Sequence, residues 1–163
     1  MIFQGRAWVF GENVDTDTIT PGKYLFSPVE EAAAHTFEAI RPGFATQVEP
    51  GDLIVAGRNF GCGSGRESAP QVLKFLELSC VLAEEFARMF YRNAIAVGLP
   101  VLTVPGISGK IAPFDEVRVT VETGTVEIIK TGEILQAVTL HRSMLALLDA
   151  GGIDSALERA PKR

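Results

Sequence analysis

Cysteine, tryptophan and histidine are scarce in this chain of 163 residues, which contains two cysteines, one tryptophan and two histidines. Two cysteines cannot form the disulfide framework of a small secreted domain. No apolar run approaches the roughly 20 residues that a membrane-spanning helix needs, and residues 1–6 do not resemble a signal peptide. We therefore expect a cytoplasmic protein that does not bind a membrane.

The sequence also lacks a cluster of basic residues. Its net charge is −5 at pH 7, and its lysines and arginines are spread along the chain. Without a basic patch the chain is not expected to bind nucleic acid. Hydrophobic residues make up 47% and charged residues 21% of the sequence, as is usual for a globular protein. The length favours a single domain over residues 1–163.

Patterns of metal ligands are missing as well. His35 has no second histidine or cysteine at ligand spacing. The carboxylates Asp15 and Asp17 lack the further ligands and the distal glutamate of a calcium loop. Cys62 and Cys80 are too few for an iron–sulfur cluster. We expect no metal site in this chain, with Cys62 as a wall residue and Cys80 as a small buried hydrophobic residue.

The most informative stretch is a glycine-rich loop at residues 59–71, Asn-Phe-Gly-Cys-Gly-Ser-Gly-Arg-Glu-Ser-Ala-Pro-Gln. Its glycines allow positive φ angles and close approach of a ligand, and backbone N–H groups near a helix start form an anion site. Ser64 and Arg66 add a hydroxyl and a guanidinium. The loop therefore predicts a site for a carboxylate or a phosphate. The simpler alternative is that it is only a turn.

Two known phosphate-binding motifs do not match this loop. It has no Gly-Lys-Ser or Gly-Lys-Thr ending, which a P-loop requires. Its glycines are too closely spaced for the dinucleotide-binding fingerprint, and no βαβ unit precedes it. The pattern indicates an anion site of another kind.

The first two thirds of the chain predict a layered α/β core. Apolar runs predict strands at 7–10, 53–56, 80–83 and 101–104, with helices between them at about 68–78 and 85–97. We expect the strands to be parallel because helices connect them. Another helix is predicted to start at Ser27 with a capping box and to continue through residue 40.

The last third has a different pattern. Alternating residues predict strands at 116–121, 125–129 and 133–138, joined by Thr-Gly turns into a β-meander with one wet face. A closing helix is predicted at 143–150, and residues 160–163 are expected to form a frayed tail.

Three stretches, in the same order, resemble the swivelling domain of the aconitase superfamily. They are residues 13–21, 59–71 and 86–100, and the resemblance is closest to the small subunits of 3-isopropylmalate dehydratase. Together with the chain length, their order extends the resemblance over nearly the whole sequence. The resemblance implies a three-layer β/β/α swivelling domain like the aconitase C-terminal domain, whereas composition alone indicates only the α/β class.

The resemblance also assigns site residues. The implied catalytic residues are Ser64 and Asp17, and the implied substrate-binding residues are Arg66, Gly63, Gly65, Tyr24, Leu25 and Phe26. A serine can act as a base only if nearby N–H groups and a guanidinium stabilise its charged form. The chain departs from the family pattern at Gly65, where a second serine is common, and at Ser68, where a histidine is common.

The implied reaction is that of a hydro-lyase in leucine biosynthesis, which isomerises 2-isopropylmalate and 3-isopropylmalate by removing and re-adding water. The resemblance implies that a separate large subunit carries a [4Fe–4S] cluster and that this chain has no cofactor. The substrate would be a small dicarboxylic hydroxy acid.

Two alternatives to this reaction stay open. One is a homoaconitase or dimethylmalate-type dehydratase subunit. The other is a non-catalytic anion-binding assembly protein. Leu25 and Phe26 are expected either to form an apolar wall for an alkyl substrate or to pack on the following helix.

Overall fold

A computed structural model describes residues 1–159, and the predicted tail at 160–163 lies outside the described residues. Within residues 1–159, seven strands form one sheet in the order β4-β3-β2-β1-β5-β6-β7. The strands are β1 (Ile2–Val9), β2 (Leu53–Ala56), β3 (Cys80–Ala83), β4 (Val101–Thr103), β5 (Glu116–Thr120), β6 (Thr125–Ile128) and β7 (Glu133–Gln136). The helices are α1 (Thr16–Ile19), α2 (Val29–Ala33), α3 (Phe44–Gln47), α4 (Ser68–Phe75), α5 (Arg88–Val97), α6 (Arg142–Ala150) and α7 (Ile153–Arg159).

Strand β1 lies at the centre of the sheet and joins two halves of different character. Its residues 7–9 pair in parallel with β2, and its residues 2–6 pair antiparallel with β5. The strand therefore begins at Ile2 rather than at residue 7 as predicted. Strands β2, β3 and β4 complete the predicted parallel half, and β5, β6 and β7 form the predicted antiparallel meander.

The sheet is curled, so that its two edges approach one another. The N–H of Val138, just after edge strand β7, donates to the carbonyl of Thr103 in the opposite edge strand β4, at 2.8 Å. Helices α2, α4, α5, α6 and α7 pack on one another in succession and form a helical layer. The predicted α/β arrangement of sheet layers and a helical layer is confirmed.

An aromatic cluster changes the course of the chain after α2. Phe37 is fully buried, with ring centroids 4.3 Å from Phe10 and 4.9 Å from Phe44. Its φ of 58° is left-handed, and its N–H donates to the carbonyl of Ile19. The helix therefore ends at Ala33, and the prediction that it continues through residue 40 is wrong because this burial outweighs helix propensity.

The predicted capping box at the start of α2 is also wrong. The helix begins at Val29, and Pro28 occupies the N-cap position without a side-chain cap hydrogen bond. Ser27 therefore lies one residue too early for its hydroxyl to cap. His35 lies in the turn after α2, where its Nδ1 contacts Glu38 at 2.6 Å.

A buried carboxylate fixes the start of β2. Asp52 is 3% exposed and accepts hydrogen bonds from Arg6 Nη2 at 2.8 Å, from Trp8 Nε1 at 2.9 Å and from the N–H of Glu49 at 3.0 Å. Burial acts to raise the pKa of Asp52, but these hydrogen bonds and the charge of Arg6 outweigh it, so the pKa is lowered. This carboxylate ties β1 to β2.

The ends of two further helices agree with the positions predicted from the sequence. Helix α5 ends at the predicted Gly98, and α6 ends at Gly151. Helix α7 was not predicted. No helix in the described part of the chain combines the length and apolar character needed to cross a membrane. The single-domain assignment over 1–163 stays a prediction.

Candidate active site

Two segments meet at the carboxyl ends of β1 and β2. These strands are neighbours and parallel, so the chain leaves both at the same edge of the sheet, the edge where α/β proteins commonly bind ligands. The N–H of Gly61 donates to the carbonyl of Val14 at 2.7 Å, and the N–H of Thr16 donates to the carbonyl of Cys62 at 2.9 Å. These hydrogen bonds hold the Asp-Thr-Asp segment against the glycine loop.

The loop needs glycine at its first turn. Gly61 has a φ of 79°, and a Cβ built there would lie 2.2 Å from Cγ of the buried Phe90. Gly63 also has positive φ, at 91°, with the side chain of Thr16 beside it. Glycine is thus required by conformation at both positions and by packing at Gly61.

Arg66 is the centre of the site. Its Nε donates to Ser64 Oγ at 2.8 Å, and its Nη1 donates to the carbonyl of Thr20 at 3.3 Å. Its Nη2 pairs with Asp17 Oδ1 at 2.7 Å. The structure therefore brings together Ser64, Asp17 and Arg66, which the family resemblance assigned to one site.

The arrangement leaves this site able to bind an anion. The Arg66 side chain is only 14% exposed, which fixes its guanidinium, whereas Ser64 lies on the surface. A guanidinium carries five N–H bonds, and each of the three nitrogens of Arg66 uses one in the contacts given above. The remaining N–H groups can bind a carboxylate, and the charge beside Ser64 favours the ionised form of its hydroxyl.

Asp15 and Asp17 have different roles because their segment is helical. Asp15 caps α1, where its Oδ1 accepts from the N–H of Thr18 at 2.6 Å. Asp15 therefore makes a local hydrogen bond that caps the helix, whereas Asp17 pairs with Arg66.

Two residues of the site, Thr16 and Asn93, were not predicted from the sequence. Thr16 is 1% exposed, and its Oγ1 lies 2.9 Å from the carbonyl oxygen and 3.3 Å from Oγ of Ser64. Asn93 on α5 donates through Nδ2 to the carbonyl of Gly65 at 2.9 Å. Both lie within the stretches that carry the family resemblance, and this is the only signal that could have drawn attention to them.

The two departures from the family pattern have different surroundings. A Cβ on Gly65 would lie 1.9 Å from Cε of Met89, a flexible side chain that is 58% exposed. A serine there would require Met89 to move. Ser68 opens α4, and its buried hydroxyl has no hydrogen-bond partner among the residues that the structure describes.

The loop after Thr20 presents apolar side chains to the exterior. The Tyr24 ring stacks on His35 with centroids 4.0 Å apart, and Lys23 Nζ pairs with Glu38 at 3.1 Å. Leu25 is 36% and Phe26 is 97% exposed. The alternative that Phe26 packs on the following helix is therefore wrong.

The cysteines do not fit an iron–sulfur cluster. Burial and the nearby Asp15 carboxylate raise the pKa of the Cys62 thiol, and burial raises that of Cys80 to about 12. Cluster ligands are thiolates, so both environments oppose ligation. Across residues 1–159 no three His, Cys, Asp or Glu side chains are grouped to hold a metal ion.

Comparison with known proteins gives consistent matches. The sequence pattern of the aconitase C-terminal domain family matches residues 13–106. The isopropylmalate/citramalate isomerase small subunit of Methanocaldococcus jannaschii is 49% identical over 159 residues, covering 97% of this chain and 95% of that protein. The 3-isopropylmalate dehydratase small subunit of Methanosarcina acetivorans is 48% identical over 151 residues, covering 92% of this chain and 93% of that protein.

A third relative has a different name. The methanogen homoaconitase small subunit of Methanothermobacter thermautotrophicus is 47% identical over 156 residues, covering 93% of this chain and 88% of that protein. Among solved structures, 3-isopropylmalate dehydratase (leuD) from Methanocaldococcus jannaschii superposes with a TM-score of 0.91 and 39% identity, covering 98% of this chain and 95% of that one. The predicted swivelling-domain fold is confirmed.

Proposed function

The chain belongs to the aconitase C-terminal domain family and to its branch of 3-isopropylmalate dehydratase small subunits, and on that premise we propose that it is a hydro-lyase subunit that isomerises 2-isopropylmalate and 3-isopropylmalate. The reaction removes water and adds it back at the neighbouring carbon, as a step of leucine biosynthesis. Similarity over nearly the full length of relatives with this name supports the proposal.

The observation that carries the proposal is the contact between Arg66 Nε and Ser64 Oγ at 2.8 Å. Dehydration next to a carboxylate begins with removal of a proton from carbon. The ionised hydroxyl of Ser64 takes this proton, and the guanidinium stabilises its negative charge before the transfer.

Arg66 also binds a carboxylate of the substrate. Its N–H groups that remain outside the three observed contacts are available for this. Asp17 fixes the guanidinium, and its carboxylate does not reach Ser64 through any hydrogen bond in the described residues. The backbone N–H groups of Gly63 and Gly65 complete the cradle.

The apolar loop supports an alkyl substrate over a tricarboxylic one. Leu25 and Phe26 present hydrocarbon, and the lysine of the same loop, Lys23, is already paired with Glu38. A third carboxylate would need a free cation here. Homoaconitate is therefore the second candidate, supported by one similar relative, and Tyr24, Leu25 and Phe26 are assigned to the substrate's variable end.

The exposed position of Ser64 supports a shared active site. Relatives of this chain are named small subunits, so a large subunit is its partner. We assign the [4Fe–4S] cluster to that partner, because the described residues of this chain do not fit one. A cytoplasmic location is part of the same proposal.

The test combines the purified chain with a large subunit of the family and measures turnover of 3-isopropylmalate. We expect turnover only from the mixture. Ser64→Ala should lower kcat by roughly 10²–10⁴-fold, the usual contribution of a general base, whereas Ser108→Ala, at an exposed loop serine outside the site, should not. Turnover by the chain alone, or homoaconitate as the better substrate, would contradict the proposal.

A further inference from the structure

Thr16 places a buried hydroxyl directly behind the serine of the site. It is the first residue of α1 and is 1% exposed. Its Oγ1 lies 2.9 Å from the carbonyl oxygen of Ser64 and 3.3 Å from Ser64 Oγ. The family resemblance assigned no role to this residue.

The hydrogen atoms of this group can be assigned by counting donors. A carbonyl oxygen only accepts, so the single hydrogen of the Thr16 hydroxyl is directed to the carbonyl of Ser64. Thr16 Oγ1 must then accept from Ser64 Oγ. Arg66 Nε also donates to Ser64 Oγ, so the neutral serine accepts from Arg66 and donates to Thr16.

The hydrogen bonds that Ser64 Oγ can make change when Ser64 loses its proton. An alkoxide is an acceptor only, and Arg66 Nε satisfies one of its lone pairs. A threonine hydroxyl can rotate about its C–O bond, and Thr16 Oγ1 is already within reach of Ser64 Oγ. Rotation of this one hydrogen from the Ser64 carbonyl to the alkoxide supplies a second donor without any movement of heavy atoms.

We propose that Thr16 is a positioning residue for catalysis, whose hydroxyl holds the Ser64 proton away from the substrate in the neutral state and donates to Ser64 Oγ in the ionised state. This inference rests on the proposed function, because it requires Ser64 to act as a base. Neighbouring Thr18 has no such contact among the described residues: its N–H binds Asp15, and its hydroxyl reaches neither Ser64 nor Arg66.

The structure allows the hydroxyl to be removed without opening the site. The N–H of Thr16 donates to the carbonyl of Cys62 at 2.9 Å, and this backbone bond links α1 to the loop whatever the side chain. Asp15 caps α1 independently. Thr16→Val keeps the branched shape and replaces the hydroxyl by a methyl group, whereas Thr16→Ser keeps the hydroxyl and removes a methyl group.

The experiment measures kcat and KM for 3-isopropylmalate with each variant assembled with the large subunit, together with complex formation and melting temperature. We expect Thr16→Val to lower kcat by at least tenfold and to leave KM and complex formation within threefold of the wild type. Thr16→Ser should retain kcat within threefold. Thr18→Val, the same change two residues away, should match the wild type.

Three results would overturn the inference. They are a kcat of Thr16→Val within twofold of the wild type, equal losses in Thr16→Val and Thr16→Ser, or a loss confined to KM or to complex formation. The wild-type mixture separates this inference from its premise. If the wild type turns over and Thr16→Val has a kcat within twofold of it, only the role of Thr16 is wrong, whereas an inactive wild type refutes the proposed function and this inference together.

Discussion

Replacement of Arg66 by lysine tests the site most directly, because it keeps the positive charge and removes the planar guanidinium that contacts three partners. The guanidinium contacts Ser64 Oγ, the carbonyl of Thr20 and Asp17 through three different nitrogens. A lysine has one ammonium group on a flexible stem and cannot occupy three such positions together. Arg66→Lys should therefore leave Ser64 or the substrate carboxylate without its cation.

The size of the effect follows from these contacts. A hydrogen bond to a charged group contributes about 1.5–3 kcal/mol. Loss of either the donor to Ser64 or the donor to the substrate carboxylate removes about 1.5–3 kcal/mol of transition-state stabilisation, or roughly 10–10²-fold in kcat/KM. The pair with Asp17 adds little, because that carboxylate is 67% exposed.

The assay is kcat/KM for 3-isopropylmalate, measured with the variant assembled with a large subunit of the family. Arg58→Lys is the matched control, since Arg58 immediately precedes the loop, is exposed and makes no side-chain hydrogen bond among the residues that the structure describes. Melting temperature and complex formation should be unchanged in both variants. If kcat/KM of Arg66→Lys stays within fivefold of the wild type, Arg66 is not the carboxylate-binding residue.

Two further predictions concern specificity and stability. Leu25→Arg should lower kcat/KM for 3-isopropylmalate and raise it for homoaconitate, because it adds a cation to an apolar loop; an unchanged ratio between the two acids would show that the loop does not select the substrate. Asp52→Asn should lower the free energy of unfolding at pH 7 by about 1–3 kcal/mol, measured by urea denaturation, because a buried carboxylate that accepts four hydrogen bonds is neutralised. The pKa of Asp52 is lowered in the folded chain. Its contribution to the free energy of unfolding is therefore present above about pH 4 and is lost as pH falls through the lowered pKa. If the free energy of unfolding of wild type and variant depended on acid pH in the same way, this prediction would be contradicted.

The parts of the fold that the sequence predicted are those where one pattern decides the outcome. Strands β2 and β3 are short apolar runs, buried along their whole length, and the alternating run of β5 places its valines inward. The course of the chain after α2 could not be predicted, because Phe37 adopts a left-handed φ to reach Phe10 and Phe44. Phe10 lies before the first helix and is distant in sequence from Phe37, and no local pattern identifies it as a partner.

The contacts of the site likewise include some that the local sequence predicts and others that depend on the fold. Ser64 and Arg66 are two residues apart, so their contact could be expected from the loop alone. Thr16 binds Ser64 across 48 residues and Asn93 binds Gly65 across 28, and these partners depend on how β1, β2 and α5 are placed. Asp17 was assigned by resemblance, which supplied its position but not its contact with Arg66.

The sequence separation of these hydrogen bonds has a consequence for how the chain acquires its site during synthesis. Arg66 reaches back 46 residues to Thr20, and Gly65 is held by an amide that comes 28 residues later. The site is therefore incomplete on a growing chain until α5 has left the ribosome, and long-range pairing of this kind forms slowly. A partner that recognises the assembled loop therefore distinguishes a folded chain from one that is still folding.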